Sequence, residues 1–466
     1  MAEVERYDWI IRGGEVVTAA EVRKLDIGIR AGRIAALAET LPLELANHVL
    51  DAAGQLVLPG MIDMHVHLNE PNFGHWEGFA TGSAALAAGG ITAYADMPLN
   101  GNPPTVTRDA MKLKLALADG SSAVDYTIWG GLVPGNLDHL AELHEDGVIG
   151  FKAFMSNPGG EGEGRFREVD DATLFEGMKV IASLDSFVAL HAESDEMTSR
   201  LHDEAAAEGR ADAWAFIQAR PVEAELEAVA KAIAMAEETG CKLHFVHISS
   251  ADGVELIEEA KRRGTPVTVE TCPHYLLLTD EDMVRLGPVA KCAPPLRGSD
   301  QVERLWAHLA EGRIDVVASD HSPSPFELKD MAGGRTFSQA WGGIAGAQSS
   351  LELMVGEALK RGIPLTRMAE VLSSGPAKRL SIYPRKGEIA VGFDADLAII
   401  DPNASYTLRE EDLLQRHKHS PYIGWEIPCR VEATLVRGQL VYSREAGLIQ
   451  SGSGVMVRPA GAAVDA

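Results

Sequence analysis

The sequence predicts an α/β fold: a (β/α)8 TIM-type barrel joined to a small β-sandwich domain built from the N- and C-terminal segments. Three observations predict it. Eight short apolar runs alternate with helix-like stretches through the middle of the chain, the pattern of βα units on a parallel sheet. Glycine-punctuated alternating segments lie on both sides of that region and read as hairpins. The 466 residues exceed the ~250 a barrel uses and leave room for a second, smaller domain. Composition agrees: 46% hydrophobic and 24% charged residues describe an ordinary globular enzyme and exclude a disordered or fibrous chain. Lys and Arg number 42 against 68 Asp and Glu, a net charge of −26, which opposes nucleic acid and anionic membrane as partners. Cys241, Cys272, Cys292 and Cys429 include no C-x-x-C pair, so they read as buried reduced thiols.

In chain order, the opening residues are charged and lack an apolar h-region, and no later stretch approaches the ~20 apolar residues of a membrane span, so a cytoplasmic protein is expected. Residues 9–17, interrupted at Gly13-Gly14, and 27–34, interrupted at Gly32, form the first group of hairpins. The barrel runs follow at 56–62, 91–95, 124–129, 150–154, 187–190, 243–246, 267–269 and 316–319. The clearest intervening helix starts at Pro221, carries Val222, Leu226, Val229, Ile233 and Ala236 on one stripe and ends at Gly240. A second hairpin group covers 388–400 and 433–441, the latter interrupted at Gly438. Residues 1–57 and 384–450 are therefore expected to pair into one composite β-sandwich, 58–383 to form the barrel, and 451–466 to be a flexible tail.

The chemistry gathers at strand ends. His65 and His67 lie two apart on the first barrel strand, so period-two alternation sends both imidazoles to one side, where they can grip one metal. His417 and His419 share that spacing but follow a polar stretch and precede Pro421, which assigns them to a surface loop. His191, His247 and Asp320 end the fifth, sixth and eighth runs, where barrel enzymes keep catalytic groups. His244, three residues before His247, points the opposite way and reads as structural. Lys152 sits inside the apolar strand Gly150-Phe151-Lys152-Ala153-Phe154. Either a carboxylate pairs with it, or burial lowers its pKa so that the neutral amine captures CO2 as a carbamate able to bridge two metals. Residues 157–164, glycine-rich and directly after Lys152, are either a lid or a mobile surface loop.

Taken together, these residues resemble the amidohydrolase superfamily, in its cyclic-amidase (hydantoinase/dihydroorotase) branch. The likeness runs from the first hairpins to about residue 450 through Gly60-Met61-Ile62-Asp63-Met64-His65-Val66-His67, Phe151-Lys152-Ala153-Phe154, His191-Ala192-Glu193-Ser194, Val246-His247-Ile248-Ser249-Ser250 and Ser319-Asp320-His321-Ser322-Pro323. The resemblance implies that His65, His67 and Asp320 hold a buried metal, that His191 and His247 hold a second, and that N6-carboxylated Lys152 bridges them. Two divalent ions per chain follow, zinc first and manganese, iron or cobalt as alternatives, with CO2 needed for the carbamate. A homotetramer is what the family implies for assembly.

Within the branch the loops are most similar to those of allantoinases, through Glu70-Pro71, His75-Trp76-Glu77-Gly78, Asp96-Met97-Pro98-Leu99-Asn100, Lys291-Cys292-Ala293-Pro294-Pro295-Leu296-Arg297 and Trp341-Gly342-Gly343-Ile344-Ala345-Gly346. Dihydroorotases carry a carboxylate-binding arginine where this chain has Asn69, which favours a neutral substrate. Dihydropyrimidinases carry a tyrosine shortly after the lysine, where this chain reads Met155-Ser156-Asn157-Pro158. The implied activity is hydrolysis of the hydantoin ring amide of allantoin, a neutral cyclic ureide, to allantoate, with Asp320 moving the proton. Asn69, Ala293, Ser322 and Gly343 are the expected substrate contacts. The competing readings are a hydantoinase or dihydropyrimidinase and, more remotely, a catalytically silent scaffold on the same fold.

Overall fold

The computed structural model describes residues 6–159 and 164–460. Eight parallel strand positions ring the barrel: Met61–Val66, Ile91–Asp96, Asp125–Ile128, Phe151–Phe154, Phe187–His191, Lys242–Phe245, Val267–Thr271 and Val316–Val317. They pair in two arcs, of three strands and of six, the short Gly130–Gly131 strand ending the longer arc. A parallel bridge between Val66 and His321 and the bond from Ile149 N–H to the Ile128 carbonyl close the ring. These strands are buried on both faces, which is why they read as continuous apolar runs rather than alternating ones.

The run at 56–62 divides between two sheets. Leu56–Pro59 pairs with Tyr7–Val17 and Leu397–Asp401, whereas Met61–Val66 enters the barrel. The junction is Gly60, where an added Cβ would lie 2.2 Å from Thr92. Only glycine lets the chain pass that close to the neighbouring barrel strand.

The other sheet has nine strands drawn from both chain ends, in the order Gly447–Leu448, Gln439–Ser443, Arg430–Val436, Leu397–Asp401, Leu56–Pro59, Tyr7–Val17, Val22–Arg30 and Arg33–Ala38, with Ala46–Asp51 also against Tyr7–Val17. It encloses its own core of Ile11, Val16, Ile27, Ile29, Val57, Leu397, Ile399 and Leu435. Two tight hairpins turn at Ala31-Gly32 and Arg437-Gly438, all four residues at positive φ as a type I′ turn requires. Gly13-Gly14, by contrast, is a bulge inside one continuous strand: the register with Val22–Arg30 shifts between Ile11 and Gly14.

The helix over Val222–Thr239 is capped at Pro221 and ends on left-handed Gly240. Residues 451–460, placed by the sequence in a free tail, are instead tied down. Val455 and Val457 bond the backbone of Tyr126, and Val457 is buried, because the Asp125–Ile128 strand leaves backbone groups there that this segment satisfies. Residues 461–466 lie outside the described residues. Among the described residues no helix is long and apolar enough to cross a membrane.

Candidate metal centre and active site

At the C-terminal mouth of the barrel, four elements bring histidines and an aspartate to one point. His65 Nε2 and His67 Nε2 lie 3.2 and 3.3 Å from the same Asp320 oxygen, Oδ1. The ligand atoms of these three residues all fall within 4.8 Å of one another. Beside them His191 Nδ1 faces His247 Nε2 at 3.0 Å. The backbone turns left-handed at His247 (φ 40°) and Asp320 (φ 46°). Such conformations cost about 1–3 kcal/mol each and persist where surrounding structure enforces them; here they follow directly on strands and sit at the mouth.

A second layer of carboxylates orients the imidazoles. Glu270, on the seventh barrel strand, accepts at 2.8 Å from His65 Nδ1, meets His244 Nε2 at 3.2 Å and accepts from the His247 backbone N–H. That fixes His65 with Nε2 turned toward Asp320, and makes His244 the structural partner. Glu193 holds His191 Nε2 at 2.8 Å and is itself gripped by Arg220 at 2.6 Å, which leaves His191 Nδ1 pointing to His247. Although burial opposes ionisation, Arg220 and His191 hold the Glu193 carboxyl at about 2. Burial pushes His65, His191 and His247 below the ordinary imidazole pKa, so they offer lone pairs rather than positive charge. For Asp320 burial acts in the opposite sense, but the His65 and His67 imidazoles outweigh it and keep the carboxylate ionised.

Lys152 is fully buried, and its Nζ has no hydrogen-bond partner among the described residues. It makes no ion pair among the described residues; its ammonium would lie only over the Phe154 ring, at 4.8 Å. Burial lowers its pKa to about 7, despite Asp320 and Glu270 nearby. A carboxylate partner, one of the two explanations open from sequence, is thus not what the strand provides.

His65, His67, His191, His247 and Asp320 line a cavity of about 980 Å³. Ala293, Ser322 and Gly343 also line it. Gly343 contributes shape rather than bonds: its N–H is donated to the Lys291 carbonyl at 2.7 Å, and at φ 122° a Cβ would lie 2.5 Å from the Ser322 carbonyl.

Asn69, expected as a substrate contact, lies beside the cavity, and its Oδ1 has no hydrogen-bond partner among the described residues. It is fully buried, donates Nδ2 to the Pro323 carbonyl at 3.2 Å and is absent from the cavity lining among the described residues. Its left-handed backbone (φ 66°) turns the side chain into the loop after the eighth strand. Further polar lining comes from Asn100, quoted above only as part of a loop motif, and from Arg220, Ser338 and Gln339, which the sequence did not single out. His419 departs from expectation: it is buried, with Nε2 2.8 Å from the Ser324 carbonyl, while His417 is half-buried. Asn157, Pro158, Gly159 and Gly164 stand at the cavity mouth, and residues 160–163 of the expected lid lie outside the described residues.

Known proteins resemble this chain in sequence and fold. A sequence model of the amidohydrolase family matches residues 56–441. The chain is 47% identical to an allantoinase of Solibacter usitatus over 97% of this chain and 96% of that protein. It is 49% identical to an allantoinase of Rubrobacter xylanophilus over 89% of this chain and 90% of that one. Among solved structures, an L-hydantoinase (dihydropyrimidinase) from Arthrobacter aurescens superimposes with a TM-score of 0.92 over 97% of this chain and 100% of that chain, at 35% identity.

Proposed function

The chain belongs to the amidohydrolase family, and from that premise we propose that it is a metal-dependent allantoinase, opening the hydantoin ring of allantoin to give allantoate. The observation that carries the substrate is the set of curated relatives named allantoinase, 43–49% identical over 85–97% of the chain. The donor set fits two divalent ions. His65, His67 and Asp320 would hold one, His191 and His247 the other, with Lys152 between them as a carbamate formed from CO2. The buried, partnerless Lys152 amine supports that reading, since carboxylation converts a desolvated amine into an anion facing cations. Nitrogen and oxygen ligands suit zinc, and also manganese, iron and cobalt. Bound divalent ions supply activated water and a polarised carbonyl.

The chain supplies the rest. Asp320 reaches the cavity, so its carboxylate is placed to take the proton of the attacking water and return it to the departing ring nitrogen. Glu270 and Glu193 keep the imidazoles in the tautomers that present His65 Nε2 and His191 Nδ1 to the centre. Ser322, Ala293 and the 338–343 segment wall the ring and its ureido tail.

Turnover of allantoin, hydantoin and dihydrouracil by metal-replete protein tests the assignment. Allantoin should show the highest kcat/KM. A preference for dihydrouracil would make the protein a dihydropyrimidinase, the reading that its structural likeness to hydantoinases favours.

A further inference from the structure

One wall of the cavity is irregular backbone: Ser338, Gln339, Ala340, Trp341, Gly342 and Gly343. Apart from the Trp341 ring, which meets Trp76 edge-on at 4.9 Å, this segment has only small or polar side chains to fix its shape. Two lysines lie buried against it, Lys291 and Lys329, each at most 4% exposed. Lysine is almost never buried this deeply without a carboxylate. Neither has one among the described residues. Lys291 Nζ donates instead to the carbonyls of Phe337, Ser338 and Ala340, at 2.8, 3.1 and 2.6 Å. Its ammonium also lies over the rings of Phe216 and Phe337, at 4.6 and 5.3 Å. Lys329 Nζ donates to the carbonyls of Trp341 and Gly343, at 3.1 and 2.7 Å, and to that of Pro288.

The two ammonium groups thus collect five carbonyls of the 337–343 segment, and Lys291 itself lines the cavity beside that wall. Neither touches the metal-ligand cluster. Burial pushes both to a pKa of about 7, with Arg220 beside Lys291 adding to the effect there. Burying two charges at that cost gains nothing for the barrel core; what it fixes is the course of this wall.

We propose that Lys291, with Lys329, is a positioning and specificity-determining residue. It holds the 337–343 backbone as the wall that meets the substituent on the ring, so that an intact wall selects a cyclic ureide bearing a side chain over the bare ring. The proposal rests on the cyclic-amidase reading of the site but not on allantoin being the natural substrate.

The test compares wild type with Lys291→Met, which keeps the apolar stem and removes the ammonium, and with Lys291→Arg, which returns a cation. Lys291→Met should lower kcat/KM for allantoin at least about tenfold, chiefly through KM, while kcat/KM for unsubstituted hydantoin changes less than about threefold. Bound metal should be unchanged, and Lys291→Arg should recover part of the loss. Trypsin cleavage after the exposed Arg335 should accelerate in Lys291→Met as the wall loosens. Equal losses on both substrates, or no change with allantoin, would overturn the proposal. Wild type that opens hydantoin but not allantoin removes the allantoin assignment alone; the wall is then judged on 5-substituted against unsubstituted hydantoins, where the same discrimination must appear. Should Lys291→Met fail to fold, Lys329→Met releases the Trp341 and Gly343 carbonyls and carries the same comparison.

Discussion

The role proposed for Asp320 combines two tasks that a single carboxylate can perform only because it has two oxygens and two kinds of neighbour. Oδ1 sits between His65 and His67, and the side chain still reaches the cavity. Asp320→Asn keeps the shape and removes the basic oxygen, so kcat should fall at least ~10²-fold, the lower scale of general acid-base catalysis; a near-normal kcat under steady-state conditions would move the proton transfer to another residue. Lys152→Ala should lose both metal and turnover, and short carboxylic acids should restore part of each by replacing the missing anion. Elemental analysis alongside rates reads both, and full activity of Lys152→Ala without additives would reduce this lysine to packing. Residue identity and position were enough to single out these groups, since an ionisable side chain in an apolar strand calls for an explanation. The same logic applied to Val267-Thr268-Val269-Glu270-Thr271 would have found Glu270. The orientation of Asn69 was not legible in this way: it follows from a left-handed φ that no local pattern in the sequence encodes.

Elements were legible in proportion to how far their burial is set by the chain itself. Eight strand runs could be located because parallel strands covered on both faces are apolar throughout. Where one run serves two sheets, as at Gly60, composition does not change and the division is set by the close approach of Thr92. The wall at 337–343 was opaque for a related reason: its shape comes from Lys291 and Lys329, remote in sequence from parts of it, rather than from its own residues. Gly343 is where that wall tolerates least. At φ 122°, with the Ser322 carbonyl 2.5 Å from the place a methyl group would occupy, Gly343→Ala must displace the backbone beside Ser322. Expected is a fall in kcat/KM of about tenfold or more with metal content retained, since a 1 Å misplacement in a site costs up to ~10²-fold. Loss of metal together with activity would show instead that the substitution disturbs the eighth strand and Asp320.

At the scale of the whole molecule, the two sheets meet on a buried ionic joint at the opposite end of the barrel from the cavity. Lys386 Nζ lies 2.7 Å from Asp125, at the start of a barrel strand, and 2.6 and 3.2 Å from Asp396 and Asp394, which lead into the Leu397–Asp401 strand of the nine-stranded sheet. Arg437, in the hairpin turn of that sheet, reaches Asp125 at 3.1 Å, and Val455 N–H donates to the same carboxylate. Three separate segments of chain therefore converge on Asp125. Breaking a buried pair by removing one partner typically costs about 3–5 kcal/mol, because the remaining charges stay desolvated. Groups at the N-terminal face of a barrel bear on stability, whereas those at the C-terminal face bear on catalysis. Lys386→Met should therefore lower the urea midpoint strongly while leaving kcat/KM under native conditions within about twofold of wild type. Burial alone would depress the Lys386 pKa, but Asp396, Asp125 and Asp394 outweigh it and raise it above the ordinary 10.5. A cation whose pKa is raised on folding contributes stability that is fully present below its unfolded value and is lost as pH climbs toward the folded one. The gap between wild type and Lys386→Met should accordingly stay constant from neutral pH to about 10 and narrow above 10.5. Urea titrations of both proteins across that range would decide it: a gap already closing between pH 7 and 9 would mean that some other group sets the strength of the joint.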